Sequence, residues 1–362
     1  MNGTGSRTIL LTGASGALGT ELAARFSREG DQVLALVHKK TELMRAAGTA
    51  VPRRTRAGGA VTMVPGDVAQ PGLGLATEVR KVVRDTVDLV VHAAAVTDFG
   101  RPKQTYYDVN VNGTTSVLDF VSDLDVPVVH VSTAYVAGRR QGLVLEGELD
   151  RGQAFSNDYE QSKFDAEGLF QQAVGAGLRG VVVRPSIVVG RRRDGVVRDF
   201  KNIYVMLKIV TSGRMRRVPG LPNASLDFVP VDDVVDVVAA AARGSAGWTG
   251  EVLHAVGGPV TLADISRVVA EYPALALPEY VPPANFSPNS LPSSQRALYE
   301  RYVRLYEPYL TARTRFDDRN AQRVCPHPRL SAETLLRRLL DHSMAVGYLG
   351  PRRRALTKEA TA

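Results

Sequence analysis

The sequence predicts an α/β fold: a doubly wound parallel sheet with a smaller, mainly helical C-terminal part that handles substrate. Three observations predict it. Short apolar runs alternate with helix-length segments through the first half of the chain. The first run leads straight into Thr12-Gly13-Ala14-Ser15-Gly16-Ala17-Leu18-Gly19, glycines three apart between a strand and a helix. Small and hydroxyl-bearing residues close the later runs, at the strand ends where ligands bind in open parallel sheets.

Taken in order, Thr8 to Leu11 reads as a buried strand and Thr20 to about Glu29 as the helix after the glycine turn. That turn lets the backbone approach a pyrophosphate, and the helix N-terminus offers free N–H groups to the anion. The second strand, Gln32 to Val37, ends at His38-Lys39-Lys40 with no carboxylate. An acidic residue there would hold the ribose hydroxyls of NAD, whereas positive charge suits the 2′-phosphate of NADP, so NADPH is the expected cofactor. The Arg53-Arg54-Arg56 loop fits an exposed connection or a further approach to that phosphate. Val61 to Val64 and Val87 to Val91 are the third and fourth strands, followed by Gly66-Asp67-Val68 and His92-Ala93-Ala94-Ala95. Asp108 to Phe120 is helical, and Val126 to Val131 is a fifth strand ending in Ser132-Thr133-Ala134-Tyr135. This is a Rossmann-type arrangement.

Asn157 to Glu167 lacks Pro and Gly and reads as a helix. Tyr159 and Lys163, four apart, then share one face. A phenol has a pKa of about 10, and a neighbouring cation favours its ionised form. The pair is therefore a candidate proton donor to an oxygen that becomes negative during reaction. Ser132, Thr133, Tyr159 and Lys163 can converge beside a nicotinamide, in a site for hydride transfer to a carbonyl.

Composition narrows the partners. The apolar fraction of 44% and charged fraction of 23% are those of an ordinary globular protein. Cys325 is the single cysteine, which excludes an internal disulfide framework and a Cys-rich metal site and suits a reducing cytoplasm. The six histidines are scattered, so no metal is expected. Neither a leader segment nor a transmembrane run is apparent, so membrane contact is expected to be peripheral at most. The net charge of +8 gathers at Arg191-Arg192-Arg193, around Arg214 to Arg217, and at Arg352-Arg353-Arg354. Such clusters fit solvated surface or attraction to an anionic partner. No nucleic-acid-binding motif accompanies them, and nucleic acid is not an expected partner.

Beyond Gly190 the pattern changes. Phe200 to Val210 is an apolar helix whose spacing fits core packing. Val229 to Ala242 reads as a strand end and a helix, and Glu251 to Ala255 as a further strand. Six prolines make Pro273 to Pro292 an irregular connection. A helix with Tyr299, Tyr302, Tyr306 and Tyr309 on one stripe follows; the stripe packs on the first domain or lines a substrate tunnel. Ser331 caps a last helix to about His342. The expected division is 7–190 for the NADP-binding domain, with 226–256 returning to it. Residues 191–225 and 257–350 would form the substrate part, and 351–362 a mobile basic tail.

Taken together these motifs resemble the extended short-chain dehydrogenase/reductases. The matching residues are the glycine turn, Gly66-Asp67, His92-Ala93-Ala94, Asn110-Val111-x-Gly113-Thr114, Tyr159-x-x-x-Lys163 and Arg184-Pro185-Ser186. Within that superfamily the chain is similar to fatty acyl-CoA reductases and thioester-reductase domains. The similarity runs through His92 to Phe99, Val131 to Gly138, Arg184 to Gly190, Leu226 to Asp232, Tyr306-Glu307-Pro308-Tyr309-Leu310 and Phe316 to Asn320. The resemblance implies that Gly13, Ser15, Gly16, Ala17, Leu18 and Gly19 hold the pyrophosphate and that His38 and Lys39 face the adenosine ribose. It places Asp67 and Val68 by the adenine, with Ala93, Ala94, Ala95, Arg184, Pro185, Ser186 and Ile187 along the rest of the cofactor. Thr133 would stand where the family usually has serine, Tyr159 would donate the proton, and Lys163 would lower the Tyr159 pKa and bind the nicotinamide ribose. The implied substrate is an acyl thioester, on CoA or on a carrier protein, reduced to the aldehyde and then in some relatives to the alcohol. A discrete ketone or alcohol of sterol, polyketide or sugar type is the alternative.

Overall fold

The computed structural model describes residues 6–38, 40, 42–244 and 247–350. The expected contact at Lys39 and the basic tail at 351–362 lie outside these residues.

Strand β1 (Thr8–Thr12) shows how the layers arise. Side chains alternate along a strand, so Ile9 and Leu11 enter one buried cluster while Leu10 enters another on the opposite face. The chain continues through α1 (Ala17–Arg28), β2 (Gln32–Val37), β3 (Ala60–Pro65), α2 (Thr77–Thr86) and β4 (Leu89–His92). Next come α3 (Asn112–Val121), β5 (Val128–Val131), α4 (Asp158–Gly175), β6 (Gly180–Pro185), α5 (Val231–Gly244) and β7 (Val252–Ala255). The seven strands form one parallel sheet in the order β7-β6-β5-β4-β1-β2-β3. Leu10 sits opposite Leu34 and Val90, and Val129 opposite Val91 and Val181. Helix α1 packs beside α5, while α3 packs beside α4. The strand order reverses between β1 and β4, which opens a crevice at their carboxyl ends.

A third apolar cluster lies in the C-terminal half, built on helices Ile203–Val210, Leu262–Val269 and Ala332–Ala345 and on the segment from Tyr299 to Leu310. Strands Ile187–Val189, Ser225–Pro230 and Pro259–Thr261 form a small sheet beneath it.

Some elements depart from expectation. The tyrosine stripe is not on one regular helix: Ser293–Leu298 is α-helical, Tyr299–Val303 a wide π turn and Arg304–Tyr306 a tight 3-10 turn. The change of pitch buries Tyr299, Tyr306 and Tyr309 and leaves Tyr302 half-exposed. The proline-rich connection carries a short strand, Glu279–Val281, paired with Arg217–Pro219. Gly142–Val144 pairs with Thr314–Phe316, a long-range pairing that local pattern does not reveal. No described helix is long and apolar enough to cross a membrane.

Candidate active site

The crevice becomes a cleft of about 380 Å³ running from the glycine turn to the C-terminal cluster. At one end Gly13 has φ +68°, a conformation glycine adopts without strain. A Cβ on Gly13 would stand 2.5 Å from the Ala93 carbonyl oxygen, and one on Gly19 would stand 2.2 Å from that of Gly13. Only glycine leaves the backbone this close, and α1 begins directly behind with no side chain capping its free N–H groups. Thr20 Oγ1 donates to Ala14 O at 3.0 Å and pins the turn. Gly13, Gly16, Ala17, Leu18 and Gly19 line the cleft, as do Ala93, Ala95, Pro185, Ser186 and Ile187. Ser132 Oγ also faces it, buried and without a hydrogen-bond partner among the described residues. A cradle that a single methyl group would fill, and an orphan hydroxyl along its wall, fit a dinucleotide.

Thr133, Tyr159 and Lys163 meet at the middle of this cleft. Asn157 caps α4, its side chain accepting from Glu160 N at 2.9 Å, and Asp158 and Glu160 place negative charge in the first turn. That fixes Tyr159 and Lys163 one turn apart. The Tyr159 ring lies 5.9 Å from Phe99 and 6.4 Å from Tyr106. Its hydroxyl is hydrogen-bonded to Thr133. Desolvation pushes the Tyr159 phenol up to about 12; the Thr133 bond opposes the rise and the Glu160 carboxylate adds to it. Lys163, expected to lower the Tyr159 pKa, is not among the groups that shift it here; desolvation sets the balance. Lys163 is itself buried, brought down to about 8 by desolvation against the pull of Glu167, and Nζ donates to Val131 O at 2.9 Å.

Other expected contacts fall elsewhere. Arg184 does not reach the cleft: it is fully buried, in an ion pair with Glu167 at 2.6 Å, and donates to the carbonyls of Glu146 and Glu148. It ties α4 to β6, the strand that carries it, in a packing role that the family motif did not distinguish from a cofactor contact. His38 is largely exposed, with Nδ1 3.8 Å from Asp67, and neither lines the cleft. Val68 is buried against Gly113, and the Ala94 N–H donates to Thr12 Oγ1 at 3.2 Å. Ser15 is not among the residues that line the cleft; its carbonyl accepts from Arg198 at 2.9 Å.

Residues to which the sequence reading gave no catalytic or cofactor role complete the walls. Glu160 is buried; its Oε2 accepts from Ser156 N at 2.7 Å, and its Oε1 accepts from the Tyr309 hydroxyl, which also accepts from Asn157 Nδ2 at 2.8 Å. Tyr309 stacks on Phe99 at 5.9 Å and meets Tyr135 edge-on at 5.4 Å. The C-terminal segment is thus bolted to the first turn of α4. Asn110 Nδ2 donates to Ser162 Oγ at 2.9 Å and its Oδ1 accepts from Val96 N. Beneath them His92 lies between Thr12 and Thr114, 5.3 Å from His130; burial drives both imidazoles well down, so they are neutral. A residue's place next to Tyr159 gave some sign of Glu160, but nothing local points to its partner 149 residues away.

Residues 11–238 match the profile of the male sterility protein family. The chain belongs to that family. It is an NAD(P)H-dependent oxidoreductase on an extended short-chain dehydrogenase/reductase fold. Fatty acyl-CoA reductase 1 of Arabidopsis thaliana is 24% identical over 439 aligned positions, covering 88% of this chain and 89% of that protein. The isonitrile lipopeptide synthase of Streptomyces coeruleorubidus is 28% identical over 280, covering 73% of this chain and 18% of the synthase. The crystal structure of the terminal R domain of the myxalamid PKS-NRPS pathway superposes with a TM-score of 0.79 at 24% identity, covering 97% of this chain and 94% of that one. Thioester reduction is supported at the level of the family.

Proposed function

We propose that this male sterility family member uses NADPH to reduce an acyl thioester, carried on CoA or a carrier protein, and releases the aldehyde. One observation carries the reading: Thr133, Tyr159 and Lys163 share a single cleft with the glycine cradle at one end and an apolar wall of Met206, Tyr306, Tyr309 and Leu310 at the other. The names of the relatives supply the thioester.

NADPH, when bound, supplies the hydride. The Thr133 and Tyr159 hydroxyls hold the carbonyl oxygen, which turns from neutral to anionic as the carbon becomes tetrahedral, and such donors act most strongly where water is excluded. A phenol pushed up to about 12 keeps its proton at neutral pH and gives it to an alkoxide-like oxygen, which is a stronger base. Lys163 has three N–H donors and spends one on Val131, leaving two for a ribose hydroxyl and for the phenolate that the proton transfer creates. Collapse of the hemithioacetal breaks the C–S bond and expels the thiolate, while its hydroxyl proton returns to the Tyr159 phenolate and the aldehyde is left. The segments 191–225 and 257–350 are proposed to shape the acyl side, since Met206, Tyr306 and Leu310 come from them.

The test is NADPH oxidation by purified protein with a panel of acyl-CoAs, read beside free thiol. One NADPH per thiol marks release of the aldehyde, and two mark reduction to the alcohol. Oxidation of NADPH with free ketones, and no thiol from any thioester, would replace the reading with ketone reduction.

A further inference from the structure

Arg198 lies between strand Ile187–Val189 and helix Ile203–Val210, in the half of the chain assigned above to substrate, yet its side chain reaches the glycine turn. Its Nη1 donates to Ser15 O at 2.9 Å and lies 3.4 Å from both Thr20 Oγ1 and Met44 O. Ser15 belongs to the glycine turn, Thr20 to the first turn of α1, and Met44 to the connection after β2. In this fold the glycine turn and the helix start behind it cradle a pyrophosphate, and the connection that carries Met44 leaves from the strand end that borders the adenosine ribose. The guanidinium therefore stands where the two anionic parts of a dinucleotide come nearest each other.

Its neighbours sharpen the point. Arg45 is held by the buried carboxylate of Glu21 at 2.6 Å, and His38 turns toward Asp67. Among the described residues, Arg198 is the one arginine that lines the cleft. Its ion-pair partner, Asp199, is adjacent in sequence, 2.7 Å away and partly exposed, so it can yield to a stronger anion. The loop carrying Arg198 is anchored at its far end. Lys201 pairs with Asp98 at 3.0 Å, and Asn202 donates to Thr97 O at 3.1 Å. Asn202 itself holds φ +47°, a strained value for a residue with a side chain. A loop tied down across the cleft in this way positions its arginine rather than leaving it to solvent.

We propose that Arg198 is a phosphate-binding residue of the dinucleotide site, contributed from the C-terminal half. The proposal rests on the cofactor reading above. A guanidinium suits a phosphoryl group because its fork of donors matches the oxygens, which a lysine cannot reproduce.

The experiment is calorimetric titration of NADPH and NADH into wild-type protein and into Arg198→Ala, Arg198→Lys and Arg193→Ala. Arg193 is exposed and serves as the control for a lost charge. Arg198→Ala is expected to weaken NADPH roughly tenfold to hundredfold, the scale of a hydrogen-bonded charge. Arg198→Lys should recover part of the loss, and Arg193→Ala should bind as wild type does. Loss confined to NADPH assigns the contact to the 2′-phosphate, and equal loss for both assigns it to the pyrophosphate. Unchanged affinity in a folded Arg198→Ala, or an equal loss in Arg193→Ala, overturns the proposal. Should Arg198→Ala fail to fold, Arg198→Lys binding as tightly as wild type would overturn it. Wild-type protein that binds neither dinucleotide would instead sink the cofactor reading itself.

Discussion

Raising the pH should switch the enzyme off at Lys163, well before Tyr159 titrates. The two groups are separated by burial: Lys163 is brought down to about 8, while Tyr159 is pushed up to about 12. The ammonium is the active form, since it alone can balance the phenolate, and it predominates below the folded pKa. Its protonated fraction falls from roughly nine-tenths at pH 7 to slightly under one-tenth at pH 9, so activity should drop about tenfold over those two units. The parameter to follow is kcat/KM for NADPH, which reports the ionisations of the free enzyme. It should be nearly flat from pH 6 to 7, bend near 8, approach unit slope above about 9, and show no second break before the phenol range. Glu167 holds the Lys163 pKa up, so Glu167→Gln should move the break to lower pH. A profile flat to pH 10, or a break that Glu167→Gln moves upward, would refute this reasoning.

Three further outcomes follow from the same geometry. Glu167→Gln also strips the charge partner from the buried Arg184 and should lower stability by about 3–5 kcal/mol, read as a fall in the denaturant midpoint. Gly19→Ala sets a methyl against the backbone of Gly13; overpacking of this kind costs about 1–3 kcal/mol, and calorimetry should show NADPH binding lost. Tyr309→Phe removes a donor from buried Glu160 and should cost about 1–3 kcal/mol. Burial already raises the Glu160 pKa, so folding favours its protonated form and that contribution is lost as pH rises past the usual carboxylate range. The Tyr309→Phe penalty should therefore be larger at pH 7.5 than at pH 4.5 in thermal melts.

What the sequence made legible was local. β1 and the glycine turn are contiguous, and each declares itself through a short pattern: apolar residues at the strand, then glycines where a Cβ would strike backbone. The helix carrying Tyr159 and Lys163 was readable for the same reason, with Asn157 at its cap. The pairings that build the walls were not. Glu160 meets Tyr309, and Arg198 meets Ser15, only because the chain returns across the sheet after more than a hundred residues. Arg184 shows the converse error. The family resemblance placed it along the cofactor, but its side chain pairs with Glu167 on α4. The tyrosine stripe did place Tyr306 and Tyr309 against the first domain and the cleft, but not on one regular helix, because spacing alone assumes an unbroken helical pitch and a π turn interrupts it.

The most direct measurement is transfer of label. The protein would be given an acyl-CoA and NADPH deuterated at the transferable C4 position, with Tyr159→Phe in parallel, and the products taken to mass spectrometry. Hydride delivery to a thioester carbonyl predicts one deuterium on C1 of the aldehyde, free CoA in step with it, and a loss of roughly a hundredfold or more in the variant. Unlabelled thioester recovered intact while a free ketone gains the deuterium would contradict the account.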